Sequence, residues 1–558
     1  MPADPAATDC DVLVVGGGIN GCGIARDLAG RGWRVVLVER DDLAAHTSSA
    51  STKLLHGGLR YLEHYEFALV RKALAEREVL LRAAPHIAWP LRFVLPHEAS
   101  MRPAWLIRAG LLLYDHLARR ALLPGSQALD LRRDPAGAAL QPRLQRGFAY
   151  WDGWVDDARL VVLNAVDARA RGAQVLTRTA LVGAQRGSGH WQVRLRGRDG
   201  GESLLRARAL VNAAGPWAAA VLGRLGHDAT AGAPRQRRLR LVRGSHIVVP
   251  RLFNGELAYL LQNPDRRVMF AISYERDYTL LGTTEVELAG EPDATAHASA
   301  DEIAYLCAHA SRSLRRPVTP ADVVWSYAGV RPLVEAEAEP EVRVGPGGAG
   351  SAGPALGGIS SGSGSAGPLE PPRGAGRAEG PALGAISRDY LLDIQHDGAP
   401  LLTVWGGKIT SYRALAEAVA GELGRLLGDA RRPWTATAAL PGGDLSAWVA
   451  PSGDPQADFA AYVEALRRRH AWLPAPLALA LCRRHGSRVE RLLEGAAALA
   501  DLGPGLVPGL HAAELRWLQR EEWAAEADDV LWRRSKLGLR CDAAARERLA
   551  RAIDGASG

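Results

Sequence analysis

The chain carries a glycine-rich turn near its start, between two predicted strands. Gly16, Gly18 and Gly21 have Gly-x-Gly-x-x-Gly spacing directly after the apolar run 11–15. In such a turn the glycines make the bend, admit a pyrophosphate to the backbone and let the helix pack on the strand. A second predicted strand, 34–38, ends at Glu39, placed to accept hydrogen bonds from an adenosine ribose. The pattern predicts NAD or FAD rather than NADP, with an ordinary glycine turn as the alternative.

A second candidate segment, 47–61, is dense in small and polar residues. It begins with threonine, serine and alanine residues, continues with Lys53, and has His56 and Arg60 on either side of Gly57-Gly58. Only four lysines occur among the 68 basic residues, so Lys53 stands where arginine is the common choice. Glycines that expose the backbone beside His and Arg suit a flavin ring and a charged substrate. A solvated loop is the alternative.

Two further cations stand at predicted turns. Lys408 lies in Gly-Gly-Lys-Ile-Thr at 406–410, between a predicted strand and a predicted helix, as in an anion site at a helix entry. Arg331 lies between strand-like segments, and its guanidinium suits bidentate binding of a carboxylate or phosphate. A surface salt bridge fits the spacing of Arg331 equally well. His246 is compatible with an ordinary place in a sheet.

The remaining pattern predicts several domains. Helices are expected over 66–84 and 102–120, and mostly antiparallel strands over 174–182, 191–195, 207–212, 245–250, 268–273 and 278–283. Residues 345–384 hold fourteen glycines and six prolines, which predicts a disordered insertion. The predicted divisions are 1–90, 91–200, 201–220, 221–344, 345–384, 385–440 and a helical C-terminal domain, 441–558.

Composition limits the class of protein. The 558 residues are 47% apolar and 23% charged, which excludes wholesale disorder and collagen. A net charge of +7 is too small to indicate nucleic acid but is compatible with an anionic substrate or membrane surface. The five cysteines lack metal-ligand spacing, so reduced thiols and no metal site are expected.

Contact with a membrane stays open at this stage. No apolar run reaches the length needed to span a bilayer, and no signal peptide is expected. Residues 104–117 are apolar, with Arg102, Arg108, Arg119 and Arg120 in or beside them. They fit an ordinary core helix and a helix lying on lipid equally well.

Long motifs across the chain resemble one family. They are Gly-Gly-Gly-Ile-Asn-Gly at 16–21, Thr-Ser-Ser-Ala-Ser at 47–51, the run 53–67, Trp-Val-Asp-Asp-Ala-Arg-Leu at 154–160, Gly-Ser-His-Ile-Val-Val-Pro at 244–250, Gly-Val-Arg-Pro-Leu at 329–333, Gly-Gly-Lys-Ile-Thr at 406–410, and the segments 513–518 and 527–536. The chain resembles the bacterial FAD-dependent, aerobic respiratory glycerol-3-phosphate dehydrogenases.

The resemblance implies a Rossmann-like FAD-binding domain interleaved with an antiparallel-sheet substrate domain, as in D-amino-acid oxidase, plus an all-α C-terminal domain. It implies oxidation of sn-glycerol 3-phosphate to dihydroxyacetone phosphate, with electrons passed to membrane quinone. The enzyme would lie peripherally on the cytoplasmic side of the inner membrane, or in the cytoplasm. A homodimer is one assembly that stays open.

The resemblance also assigns the site residues. FAD would be held by Gly16, Gly18, Gly21, Glu39, Ser48, Ser49, Ser51, His56, Gly57, Gly58, Leu59, Gly215, Lys408, Ile409 and Thr410. Catalysis and substrate binding would fall to His56, Arg60, Tyr61, Arg331 and Lys408. Either His56 or Lys408 would take the hydroxyl proton, and Arg60 and Arg331 would hold the phosphate.

Two rivals remain. One is a soluble glycerol-3-phosphate oxidase of the same fold that passes electrons to O2. The other is a non-catalytic dinucleotide-binding sensor, since a fold alone does not fix a function. The insertion between Arg331 and Lys408 departs from the family pattern, because a short connection is expected there.

Overall fold

The computed structural model describes residues 9–225, 239–263, 265, 267–290, 292, 296–334 and 389–555. The strands in this part are β1 Cys10–Val15, β2 Val35–Val38, β3 Leu54–Leu55, β4 Ala88–His97, β5 Gln127–Asp130, β6 Arg146–Val155, β7 Gln174–Leu176, β8 Ala180–Arg186, β9 Trp191–Arg196, β10 Glu202–Asn212, β11 Leu239–Pro250, β12 Leu257–Gln262, β13 Val268–Tyr274, β14 Tyr278–Gly282, β15 Val286–Leu288, β16 Trp325–Val334, β17 Leu391–Gln395, β18 Leu401–Trp405, β19 Gly505–Val507 and β20 Leu510–His511. The α-helices are α1 Ile19–Gly30, α2 Phe67–Ala83, α3 Ala104–His116, α4 Asp157–Ala170, α5 Ala218–Arg224, α6 Ala300–Ser313, α7 Tyr412–Leu426, α8 Pro455–Arg469, α9 Ala475–His485, α10 Val489–Leu492, α11 Ala512–Glu522 and α12 Ala543–Asp554.

The first sheet carries the glycine turn. Its strands run in the order β17-β18-β10-β1-β2-β7, and β9 and β8 extend it beside β10. β1 pairs in parallel with β2 and β10, as its unbroken apolar sequence predicts for a strand covered on both faces. Val12 and Val14 pack under α1, α4 and α7, while Leu13 and Val15 face a second core with β9. Ligand sites lie at the carboxyl ends of such strands.

The second sheet is mostly antiparallel. Its order is β15-β11-β14-β13-β12-β4-β6-β3, with β16 paired to β11 and β5 to β6. The pairing of β12 with β4 is parallel. Apolar clusters cover both faces, and α6 packs on one of them. The segment 47–58 follows β2 of the first sheet and contains β3, which pairs with β6 in the second sheet, so this segment links the two sheets.

The expected helices and most of the expected strand positions are confirmed, as is the α/β class. The expected antiparallel pairing is wrong for 174–176 and 207–212, which pair in parallel with β2 and β1 in the first sheet. The expected strand 174–182 is wrong as a single element: β7 ends at Leu176 and β8 begins at Ala180. Arg178 takes a positive φ of 52° between them, which turns the chain from one strand to the next. The predicted insertion, 345–384, lies outside the described residues.

The C-terminal part, from 441, is helical apart from the β19–β20 hairpin. Its helices enclose two cores of their own. Within the ranges that the structure describes, no helix is both long and apolar enough to cross a membrane.

Candidate functional site

The glycine turn forms a tight cradle between β1 and α1. A side chain at Gly21 would overlap the carbonyl oxygen of Gly16, so only glycine lets α1 begin this close to the strand. Gly16 has a φ of +113°, and a Cβ there would lie 2.6 Å from the carbonyl oxygen of Ala213. Gly18 precedes α1 in an extended conformation and has no side-chain cap. The helix N-terminus therefore faces the space in front of the turn, where an anion is stabilised.

Glu39 closes one end of this cradle. Its carboxylate accepts the backbone N–H of Gly17 at 2.6 Å and that of Asp41 at 2.9 Å. Burial raises the pKa of Glu39, and the two N–H groups act in the opposite direction. The carboxylate is thus fixed at the end of β2, as the sequence predicted for a ribose contact.

A cleft extends from this end along the turn. Besides the glycine turn and Glu39, its lining includes Ser48, Gly215 and Gly407. Asn20 spans it, donating from Nδ2 to the carbonyl oxygen of Gly406 at 3.1 Å. The two glycine-rich turns, 16–21 and 406–407, therefore face the same cleft although they are far apart in sequence.

The three predicted serines have different partners. Ser48 accepts the N–H of Ile19 at 3.0 Å, and Ser49 donates to the carbonyl of His46. The Ser51 hydroxyl donates to Asp157 at 2.7 Å. Ser48 therefore lies in the cleft itself, whereas Ser51 holds its loop against α4.

Lys53 is the buried centre of this loop. Its side chain is fully buried, and Nζ donates to Asp157 at 2.7 Å and to the carbonyl of Ser49 at 3.0 Å. Burial lowers the pKa of Lys53, while Asp157 acts against that shift. The compact ammonium group of Lys53 suits this buried place, because it reaches the Asp157 carboxylate and the Ser49 carbonyl together. Lys53 supports the candidate site from behind.

The His56–Gly57–Gly58 peptide is held from two sides. The His56 N–H donates to the Thr410 hydroxyl at 3.3 Å, and the Gly57 N–H donates to the Tyr114 hydroxyl at 2.8 Å. Tyr114 in turn donates to Asp152, which pairs with Arg77 at 2.5 Å. Burial raises the pKa of Asp152 to about 6. The first of these contacts joins the segment 47–58 to the turn 406–410.

Lys408 and Tyr61 meet at this junction. Lys408 Nζ lies 3.9 Å from the centroid of the Tyr61 ring, a cation–π distance. Gly58 has a φ of +80°, and a side chain there would overlap the Tyr61 ring. Leu59 follows on the same 3-10 turn, and Ile409 lies beside Lys408. The structure thus brings together Gly58, Tyr61 and Lys408.

Strand β16 brings Arg331 to the same region. Thr47 donates to the carbonyl of Val330 at 2.7 Å, and a Cβ on Gly406 would lie 3.7 Å from the carbonyl of Pro332. The Arg331 guanidinium lies over Gly244, where a Cβ would come within 2.7 Å of it, and 3.6 Å from Glu285. Arg60, by contrast, is exposed on the 3-10 turn 59–64. The pairing of Arg60 with Arg331 stays a prediction.

His246 is the residue whose place the sequence left open. It is buried on β11 two residues from Gly244, stacked on Tyr327 at 4.9 Å, and its Nε2 is 3.0 Å from the Thr52 hydroxyl. Burial, Lys53 and Arg331 lower its pKa far below the usual range. Gly282, opposite on β14, leaves room for the ring. The signal was the motif 244–250, but only the sheet register places His246 beside the site.

Comparison with known proteins decides the family. Residues 11–413 match the model of the FAD-dependent oxidoreductases. The chain belongs to the FAD-dependent oxidoreductase family. It is 48% identical to a glycerol-3-phosphate dehydrogenase of Pseudomonas aeruginosa, in an alignment that covers 96% of this chain and 94% of the relative. It is 43% identical to the aerobic glycerol-3-phosphate dehydrogenase of Escherichia coli, in an alignment that covers 95% of this chain and 94% of that relative. The resemblance drawn from the motifs is confirmed.

A solved structure supports the fold. A Bacillus halodurans glycerol-3-phosphate dehydrogenase complexed with FAD superposes with a TM-score of 0.67, covering 98% of this chain and 94% of that one, at 24% identity. This oxidoreductase is therefore an FAD enzyme with interleaved cofactor and antiparallel-sheet regions, and the predicted cofactor and fold class are confirmed.

The residues present fit FAD. The cradle at Gly16 and Gly21 has no room for side chains, it opens into the cleft, and Glu39 lies at one end. Asn20 Oδ1 is buried in that cleft without a hydrogen-bond partner among the described residues, which leaves an acceptor for a ligand. Glu39, Asp41 and His46 also lie close enough to share an ion, but Glu39 is engaged by backbone N–H groups.

Tyr114→Phe tests how the His56–Gly58 peptide of this oxidoreductase is held. The change removes the acceptor for Gly57 N–H and a donor to Asp152, so the free energy of unfolding should fall by about 1–3 kcal/mol. Chemical denaturation of the FAD-loaded protein measures it. Tyr150→Phe is the control, because that ring is equally buried and lies 6.1 Å from the ring of Tyr114. Equal losses in both variants would contradict the role of the Gly57 contact.

Proposed function

We propose that this enzyme oxidises the C2 hydroxyl of sn-glycerol 3-phosphate, giving dihydroxyacetone phosphate. The observation that carries the proposal is that hydrogen bonds join the segment 47–58 to the turn after Lys408 and to the strand that carries Arg331, in a chain 48% identical to a named glycerol-3-phosphate dehydrogenase. When bound, FAD supplies the acceptor for the hydride that leaves C2. The protein must bind the phosphate and take the hydroxyl proton.

Arg331 is the proposed phosphate ligand. Its guanidinium lies over Gly244, so no side chain from β11 stands between it and incoming substrate. The guanidinium lies 3.6 Å from Glu285 and donates to the carbonyl oxygen of Thr284 at 3.4 Å, and its planar shape suits bidentate binding of a phosphate. Arg60, which directly precedes Tyr61 and is exposed, is proposed as the second phosphate ligand.

The proton acceptor is proposed to be His56 or Lys408. His56 is held at its backbone by Thr410, which keeps it beside the turn that carries Lys408. Lys408 Nζ faces the Tyr61 ring at a cation–π distance. A charged Lys408 is better suited to stabilise developing negative charge, which leaves proton removal to His56.

A longer polyol phosphate is the second candidate substrate. A relative from Brucella abortus, 45% identical over 94% of each chain, is named D-erythritol 1-phosphate dehydrogenase. The two substrates can be separated by measuring kcat/KM for each with one artificial acceptor. We expect sn-glycerol 3-phosphate to have the higher value, and a higher value for D-erythritol 1-phosphate would replace the proposal by this second candidate.

We also propose that the enzyme lies on an anionic membrane and reduces quinone there. The outer face of α3 carries exposed Trp105 and Leu113, at 71% and 43% exposure, and Tyr65 beside it is 79% exposed. Exposed Arg102 and Arg119 flank this apolar face and complement anionic headgroups. The rival that passes electrons to O2 predicts stoichiometric peroxide release in solution instead.

Trp105→Ser tests this surface. Losing the burial of one indole in lipid should weaken partitioning into phosphatidylglycerol-containing vesicles by about tenfold, because a buried aromatic side chain contributes roughly 1.5–3 kcal/mol. Co-sedimentation with vesicles measures the partitioning. Trp448→Ser is the matched control, since Trp448 is 38% exposed on the C-terminal part. Unchanged partitioning of Trp105→Ser, or an equal loss in the control, would refute α3 as the lipid contact.

A further inference from the structure

The C-terminal segment 532–539, here called the clasp, reaches the candidate site through Lys536. Lys536 is 7% exposed, and its Nζ donates to both oxygens of Asp156, at 3.1 and 3.3 Å. Asp156 caps the N-terminus of α4, and the next residue, Asp157, holds Ser51 and Lys53. Two of the four lysines in the chain therefore meet adjacent aspartates behind the flavin-facing loop.

The clasp also contacts the strand that carries Arg331. The Trp532 indole stacks on Trp325, the first residue of β16, with ring centroids 4.2 Å apart and planes at 16°. The indole also lies against Gly538, where a side chain would overlap the ring. Tyr278 on β14 donates to the carbonyl of Leu539 at 2.9 Å. The clasp therefore packs against the substrate sheet through this indole.

A third contact fixes the clasp near the predicted adenosine end of the cleft. Arg534 is fully buried and binds Asp42 through two hydrogen bonds, at 2.6 and 2.7 Å. Asp42 lies three residues after Glu39 in the same loop. One short segment thus contacts the adenosine side, the flavin-facing loop and the substrate strand.

We infer that the clasp is a positioning element of the proposed reaction, with Lys536 fixing the flavin-facing loop and Trp532 fixing β16. A cap that served only stability would use apolar packing, because a buried ion pair loses hydration that its attraction barely restores. Buried charges at Lys536 and Arg534 instead select one geometry. This inference rests on the proposed function, because it assigns the flavin-facing loop to the oxidation step and β16, which carries Arg331, to substrate binding.

The test compares full-length, FAD-loaded variants. Lys536→Met removes the charge and keeps an unbranched side chain, and Lys536→Arg is the conservative variant that should restore it. Trp532→Leu removes the stacking on Trp325. Arg546→Ala is the control, because it breaks an exposed ion pair with Asp528 in the same C-terminal part. For each, kcat and KM for sn-glycerol 3-phosphate and the visible circular dichroism of the flavin are measured.

The expected results differ between the two contacts. Lys536→Met should lower kcat by about tenfold, with KM within about twofold, because small displacements of a catalytic loop cost rate. Its flavin circular dichroism should change, and Lys536→Arg should recover most of both. Trp532→Leu should raise KM by about fivefold with kcat nearly unchanged. Arg546→Ala should match the unmodified protein in all three measurements.

The inference is overturned if Lys536→Met and Trp532→Leu leave both constants and the flavin signal unchanged. It is equally overturned if the two variants lower kcat and raise KM together, as a general loss of packing would. If Lys536→Met does not fold, Asp156→Asn removes the same ion pair and keeps a helix-capping side chain. Should the unmodified protein not oxidise sn-glycerol 3-phosphate, the proposed function fails, while the flavin signal still tests the loop contact.

Discussion

Arg331→Ala is expected to raise KM for sn-glycerol 3-phosphate by about 10- to 100-fold while FAD stays bound. A hydrogen-bonded charged partner contributes about 1.5–3 kcal/mol, and truncation removes it from the substrate complex. The side chain lies over Gly244, outside the FAD cleft lining, so the cofactor should not be released. Steady-state kinetics and the flavin content of the purified variant measure the two effects.

Arg240→Ala is the matched control for that substitution. Arg240 is half-buried on the neighbouring strand β11 and pairs with Glu287 at 2.5 Å. Its loss removes the same charge from the same sheet without touching the proposed site. An unchanged KM in Arg331→Ala, or an equal rise in Arg240→Ala, would show that Arg331 does not bind the phosphate.

Gly21→Ala is expected to abolish FAD binding, leaving a colourless protein. A methyl group at Gly21 would overlap the carbonyl oxygen of Gly16, so α1 must move away from β1. The helix N-terminus and the turn would then no longer present their N–H groups to a pyrophosphate. Titration with FAD, followed by quenching of flavin fluorescence, should show affinity lowered by at least about 100-fold.

Gly421→Ala provides the comparison, because Gly421 lies within helix α7 and a Cβ there meets nothing within 4 Å. Alanine favours a helix, so this variant should bind FAD normally and be slightly more stable. FAD binding by Gly21→Ala at the normal affinity would contradict the role assigned to the turn. Loss of FAD from both variants would point to a general sensitivity of the fold to alanine.

Local patterns predicted the strand–turn–helix–strand unit of the proposed cofactor end correctly. The turn 16–21 and Glu39 lie within a single strand–helix–strand unit, so their relation follows from sequence spacing alone. The turn 406–410 was placed correctly for the same reason, since it lies between β18 and α7. The scarcity of lysine also identified Lys53 and Lys408 as unusual before their contacts were known.

The rest of the site depends on contacts between distant segments. His246 lies beside Thr52 only because β11, β14 and β16 pair in one register, and no spacing rule gives that register. The sequence predicted Tyr114 only as part of an apolar helix. Its hydroxyl accepts a hydrogen bond from Gly57, which lies 57 residues away in the chain. The clasp is further away still, with Lys536 380 residues from Asp156.

The role of helix 102–120 illustrates the same limit. Its sequence fitted a core helix and a lipid contact equally, and the structure gives α3 both kinds of face. Tyr114 and Leu111 point inward and are buried, whereas Trp105 and Leu112 are exposed. A sequence period fixes which residues share a face, but packing decides which face is covered.

The most direct test of the proposed function is the visible spectrum of the purified, FAD-loaded protein under anaerobic conditions, before and after sn-glycerol 3-phosphate is added. We predict that the flavin absorbance bleaches at a rate that rises with substrate concentration, and that Arg331→Ala requires far more substrate for the same rate. An intact flavin band that does not change with substrate would contradict the proposed oxidation while leaving the FAD-binding fold in place.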